Sequence, residues 1–105
     1  MRLVYITARN AGEAKKISSH LLEKKLVACT NIFPIESMYW WDGEIQENVE
    51  FVVLAKTLDD KFKQVEKVVK DMHTYDTPAI FSWKADLVNS DYDSNNSIQI
   101  LHRKT

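Results

Sequence analysis

The chain has 105 residues, 45% hydrophobic and 28% charged, with a net charge of -1 from 15 acidic against 14 basic side chains. One soluble-type domain fits that size and mix, and the near-neutral balance excludes the basic footprint of a nucleic-acid binder. No apolar run approaches the roughly 18–20 residues of a membrane helix, so no membrane partner is expected.

The first elements follow from local pattern. Residues 3–8 are rich in β-branched and aromatic side chains and predict a strand. Asn10 then stands three residues before Glu13, a capping-box arrangement. Ala14, Ile17, Leu21 and Leu22 form one apolar stripe behind it, with Lys15, Lys16, Glu23 and Lys24 off it, which predicts an amphipathic helix. Residues 26–33 predict a second strand. Pro34 interrupts it, implying an edge position or a bulge. Extended character resumes over 37–41 and meets Asp42-Gly43, the strongest hairpin signal in the chain.

The next strand spans 44–56, and its residues 51–55 are apolar in both phases. Thr57 and Asp60 repeat the capping spacing. Leu58, Phe62, Val65, Val69 and Met72 follow as a helical stripe, widened by Val68. Residues 73–78 read as a loop. Residues 79–87 read as the last strand, with Ala79, Phe81, Trp83, Ala85 and Leu87 in one phase. Beyond Leu87 the stretch 89–97 is polar and turn-prone, and Ile98, Gln99 and Ile100 alternate as in a short edge strand. This tail is expected to be less ordered than the rest.

The order β-α-β-β-α-β is the α+β, ferredoxin-like plan: a four-stranded antiparallel sheet with two helices on one face. A third strand that is apolar on both faces needs cover on the far side. A homo-oligomer that packs sheets together supplies it; a strongly twisted sheet is the alternative.

The chemistry is sparse. Gly12 and Gly43 are the two glycines, so neither a dinucleotide fingerprint nor a phosphate loop exists. No Cys-x-x-Cys or His-x-x-x-His pair marks a zinc site. The N-terminus is too strand-like for a signal peptide, and the single cysteine, Cys29, has no intrachain partner, so cytoplasmic residence is expected. On its strand Cys29 reads as a small buried hydrophobe; a catalytic role needs a neighbouring base. Two roles fit His73, which closes the second helix. One is a helix-end histidine favoured by the macrodipole. The other is a metal or ligand contact beside Met72, Tyr75 and Asp76. His20 and His102 are expected to be solvated. Tyr39, Trp40 and Trp41 put large rings on both sides of the hairpin, as hairpin core or as an oligomer interface. Lys56 is either a solvated strand end or an anion contact in an interface cleft.

Several segments in order resemble the CutA family of divalent-cation tolerance proteins. They are residues 26–31 (LVACTN), 39–45 (YWWDGEI), 54–57 (LAKT), 73–80 (HTYDTPAI) and 88–92 (VNSDY). The resemblance implies a ferredoxin-like fold over 1–92 and a homotrimer in which the long hairpin extends the sheet against a neighbour. It further implies a non-enzymatic role in the response to copper and other divalent metals, with no required cofactor. A weakly bound divalent metal such as copper would sit at His73. The ligand cleft it suggests contains Lys56, His73, Tyr75, Asp76 and Trp41. The alternative role is a PII-like sensor that binds a small organic anion in clefts between subunits. A small hydrolase is a third class, for which no nucleophile–base pair can be identified. Ile6 or Thr7 stands where some bacterial members carry a copper-binding cysteine. Met72 stands where they have the first of two histidines, and Thr74 where proline is usual. The segment 93–105 departs from the family's terminal helix, which is expected to be lost or replaced.

Overall fold

Seven main elements carry the chain: β1 (Arg2–Ala8), α1 (Ala11–Glu23), β2 (Cys29–Trp41), β3 (Glu44–Thr57), α2 (Phe62–Met72), β4 (Ile80–Lys84) and α3 (Ser90–Leu101). The computed structural model describes residues 1–101; His102 and the basic residues beside it lie outside the described residues. The strands form one sheet in the order β2-β3-β1-β4, and every neighbouring pair is antiparallel. This is the expected ferredoxin-like α+β fold.

The core follows from the phases. Val4, Ile6 and Ala8 of β1 and Val53 and Ala55 of β3 point to one face. There they meet Ala14, Ile17 and Leu21 of α1 and Val65 and Val69 of α2, all fully buried. Each large aliphatic side chain buried in this way contributes about 1.5–3 kcal/mol. The opposite phase carries Tyr5, stacked on Phe81 with ring centroids 4.8 Å apart, and Trp83 beyond it. Phe81 and Trp83 stay exposed.

The local signals resolve individually. Asn10 Oδ1 accepts the Glu13 N–H at 2.8 Å, so α1 is capped as expected. The reciprocal bond is not made: Glu13 Oε1 takes the Arg9 N–H instead, also at 2.8 Å. At the other end the Leu26 N–H reaches the Leu21 carbonyl and the Lys25 N–H the Leu22 carbonyl. That is a Schellman closure, with Lys25 at φ 60° where glycine is usual. Asp42 and Gly43, at φ 53° and 78°, make the two-residue hairpin turn.

Four expectations are corrected. β2 begins at Cys29 and runs through Pro34 without a break; on the edge of the sheet the missing N–H is tolerated. β4 is shorter than 79–87, ending at Lys84. Thr57 caps no helix. It ends β3, and its hydroxyl donates to the Leu26 carbonyl at 2.5 Å, while α2 is entered through a 3-10 turn at Asp59–Lys61 with no side-chain cap. Lastly, the terminal helix is not lost: α3 runs from Ser90 to Leu101 across position 92. Two of its weak formers bond back to the preceding turn, Asn96 Nδ2 to the Tyr92 carbonyl at 2.8 Å and Ser97 Oγ to the Asp93 carbonyl at 3.1 Å, which satisfies their polar atoms within the helix. Asn96 and Ile100 are buried. Ile100 lies outside the core cluster while α3 packs on β3, so this helix covers part of the opposite face. Tertiary burial overrides propensity here.

The pairing of β1 with β3 stops at Ala8 opposite Phe51. From Ile35 opposite Glu50 to Trp41 opposite Glu44, β2 and β3 continue alone. This two-stranded ribbon is roughly 20 Å long. It stretches the molecule to 48 Å and the radius of gyration to 14.7 Å, against roughly 13 Å for a compact chain of this length.

Two stability changes are expected. Lys25→Gly relieves the left-handed strain and stabilises the fold by about 1 kcal/mol in denaturant unfolding. Ile100→Ala costs about 2–4 kcal/mol if α3 is an integral element, and nothing measurable if the tail is a loose appendage.

Candidate functional site

α2 stops at Met72 because His73 leaves the helical region, at φ -76° and ψ 145°. The chain turns back, and the imidazole is buried completely beneath the loop that follows. His73 Nδ1 accepts the Tyr75 N–H at 3.0 Å. That assigns the proton to Nε2, which donates to the Thr7 carbonyl at 2.6 Å. Glu13 closes the knot. Its Oε2 accepts both the Thr74 N–H at 3.2 Å and the Thr74 hydroxyl at 2.6 Å, and its Oε1 lies 3.9 Å from His73 Nε2. Thr74 uses two donors that the proline expected at this position does not have.

The electrostatics follow from these contacts. Burial alone would raise the Glu13 carboxyl; the donors from Arg9 and Thr74, with His73 nearby, outweigh it and hold the group below its ordinary value of 4.5. The Tyr75 phenol donates to Glu50 Oε2 at 3.1 Å. Burial, that bond and the charges of Glu50 and Glu13 push it up to about 12. The Arg9 guanidinium lies 5.7 Å from the Tyr75 ring centre.

Tyr75 therefore ties the loop to the base of the ribbon. Between them lies an open groove of about 1030 Å³. Tyr39, Trp41 and Glu50 line its ribbon side, Tyr75 and Asp76 its loop side. Its charged lining is Glu36, Glu50 and Asp76 against Arg9.

Of the expected cleft residues, Trp41, Tyr75 and Asp76 are brought together in this groove, and His73 sits beneath it as support. Lys56 is elsewhere: it is paired across the sheet with Leu3 and Cys29 and is only 9% exposed. The assignment of His73 as a metal ligand does not fit this arrangement, because neither ring nitrogen has a free lone pair. Among the described residues no group of three His, Cys, Asp or Glu side chains is placed to hold a metal ion. Cys29 is half-buried rather than buried. Arg9, Glu13 and Glu50 were not visible as site residues in the sequence. Glu13 carried a capping signal that explains its place on α1 but not its reach to Thr74.

A ferredoxin-like domain with a protruding aromatic ribbon and a loop-walled groove at its base is the class these features define. The family model of the CutA1 divalent ion tolerance proteins matches residues 2–95. The divalent-cation tolerance protein CutA of Archaeoglobus fulgidus is 52% identical over 77 residues, 73% of this chain and 76% of that protein. That of Thermotoga maritima is 44% identical over 92 residues, 88% of this chain and 91% of that one. Solved structures agree. The periplasmic divalent cation tolerance protein CutA from Archaeoglobus fulgidus superposes with a TM-score of 0.92 at 40% identity, covering 95% of this chain and 99% of its own. CutA1 from Pyrococcus horikoshii gives 0.90 at 33% identity, over 94% and 97%. This chain belongs to the CutA1 divalent ion tolerance family.

The pH dependence has two sides. Glu13 contributes stability that is fully present above its unfolded value near 4.5 and is lost as pH falls through the lower folded value. Glu13→Gln is expected to cost about 2 kcal/mol at neutral pH and to flatten this acid limb. The Tyr75 contribution is present below 10.0 and is lost as pH rises toward about 12; Tyr75→Phe removes that alkaline limb. Urea unfolding across both ranges reads both.

Proposed function

We propose that the protein is a homotrimeric, non-catalytic divalent-cation tolerance protein, in which the ribbon of each subunit packs on its neighbour and roofs the groove. The ribbon carries this reading. Met38, Trp40 and Trp41 are 67%, 72% and 69% exposed, and Ile45 and Val49 on the facing strand are exposed as well. An isolated two-stranded ribbon is marginal in water, and an apolar surface of this extent marks an interaction site. The exposed Phe81 and Trp83 on the open sheet face add to it. The names of the relatives support cation tolerance as the role.

Within the groove, Glu36, Glu50 and Asp76 outnumber Arg9, which favours a cation over a small anion. With no chelating set among the described residues, that cation is held weakly, in keeping with tolerance to copper and other divalent metals rather than tight storage. The PII-like reading, a sensor for a small organic anion, has Arg9 in its favour, stacked over Tyr75 at the groove wall. Its single free cysteine suits a cytoplasmic setting.

Light scattering behind size exclusion is expected to give three times the chain mass at micromolar concentration; a monomer contradicts the assembly. Replacing Trp40 and Ile45 together by Asp shifts the mass toward the monomer. Calorimetric titration of chelator-treated protein with Cu(II) is expected to show micromolar affinity at best, unchanged in His73→Gln. A nanomolar site lost in that variant contradicts the assignment of His73 as support.

A further inference from the structure

Lys56 and Cys29 face each other across β2 and β3 as Cα partners. Directly opposed side chains on one sheet face start about 5 Å apart at Cβ. Here the two ends meet: Lys56 Nζ lies 3.9 Å from Cys29 Sγ. A lysine at a sheet face ordinarily sends its amine out to water along its flexible stem. Lys56 is instead only 9% exposed and ends on sulfur. Among the described residues no carboxylate pairs with it; the ion-paired lysines are Lys67, Lys70 and Lys84. A buried amine without a counter-ion is costly, so its position calls for another partner. Cys29 is half-buried, within reach of an oxidant of small size. The pair lies roughly 20 Å along β3 from Glu50, outside the groove.

We propose that Cys29 and Lys56 form an oxidant-dependent covalent bridge, Sγ–O–Nζ, with dioxygen as the oxidant. One oxygen atom enters the bridge and the other leaves as water. That water carries the S–H hydrogen of Cys29 and one N–H hydrogen of the Lys56 amine. Sulfur and nitrogen give up two electrons each, and dioxygen takes all four. The S–H and one N–H bond break; the S–O and O–N bonds form. Closing the present separation takes rotamer changes in the lysine stem and no movement of the backbone pair. The product ties the start of β2 to the end of β3; a dithiol reductant undoes it, two equivalents supplying four hydrogens so that the thiol and amine form again and the bridging oxygen leaves as water. Lys56 thereby acts in redox response rather than in ligand binding, independently of what the groove takes.

The test uses the full chain, fully reduced and then held in dioxygen-saturated buffer. Intact mass and peptide mapping under denaturing conditions are expected to show a species heavier by about 14 Da, one oxygen in and two hydrogens out. The peptides holding Cys29 and Lys56 are joined in it. Dithiothreitol returns the starting mass, and neither Cys29→Ser nor Lys56→Arg yields the species. Four results overturn the bridge: no mass change, oxygen added to Cys29 with the two peptides separate, a disulfide dimer with Lys56 free, or the same joined species from Lys56→Arg. The wild-type peptide link decides the matter even if a variant fails to fold.

Discussion

A β-ribbon of two strands satisfies half of its backbone groups within itself and buries little of either face. This chain extends such a ribbon from Ile35 to Glu50 beyond the last residue of β1 and loads both of its faces with large apolar side chains. Everything distinctive about the molecule follows from that arrangement. The domain beneath is an ordinary two-layer core whose aliphatic residues are already saturated by α1 and α2. Among the described residues Trp40 and Ile45 stay exposed, and the proposed trimer is what would cover them. The same ribbon makes one wall of the groove, and the groove's shape depends on how the ribbon is held.

The base of the ribbon is held by a small polar knot. His73, with both nitrogens engaged, fixes the loop after α2 to the end of β1, and Glu13 fixes it to the start of α1. Tyr75 carries the link on to Glu50 of β3. The loop after α2 is thereby coupled to β1, α1 and β3 through hydrogen bonds to charged or buried groups, which are the stronger class. A histidine in such a position acts as support, and a metal at either ring nitrogen has to displace the hydrogen bond which that nitrogen makes. The acidic bias of the groove is a separate property, set by side chains that the knot merely positions.

Where short-range chemistry decides, the sequence was legible. Period-two and helical spacing located β1, α1, β3 and α2; Asn10 and Asp42-Gly43 marked a cap and a turn whose geometry depends on adjacent residues. Pro34 left an edge or a bulge open for β2, and the sheet order makes it the edge. What failed was long-range. The Thr57 hydroxyl has a partner 31 residues away, so its capping spacing was coincidental. α3 looked too polar for a helix because what holds it is tertiary: Ile100 is buried and the helix packs on β3, a strand more than 30 residues earlier. In the site, Trp41, Tyr75 and Asp76 were suggested together by the family resemblance, and the groove brings them together. Arg9, Glu13 and Glu50 were not, since each gains its role from a partner on a different element. Lys56 sat at the expected strand end, but nothing local said that its amine would turn inward to Cys29.

Amide hydrogen exchange over residues 35–50 tests the central claim most directly, because it reads the ribbon itself at peptide resolution. If the ribbon is covered by a neighbouring subunit, its amides exchange as slowly as those of β1, and dilution that separates the subunits releases them. Exchange at the rate of an isolated hairpin, at a concentration where β1 is fully protected, would contradict the account.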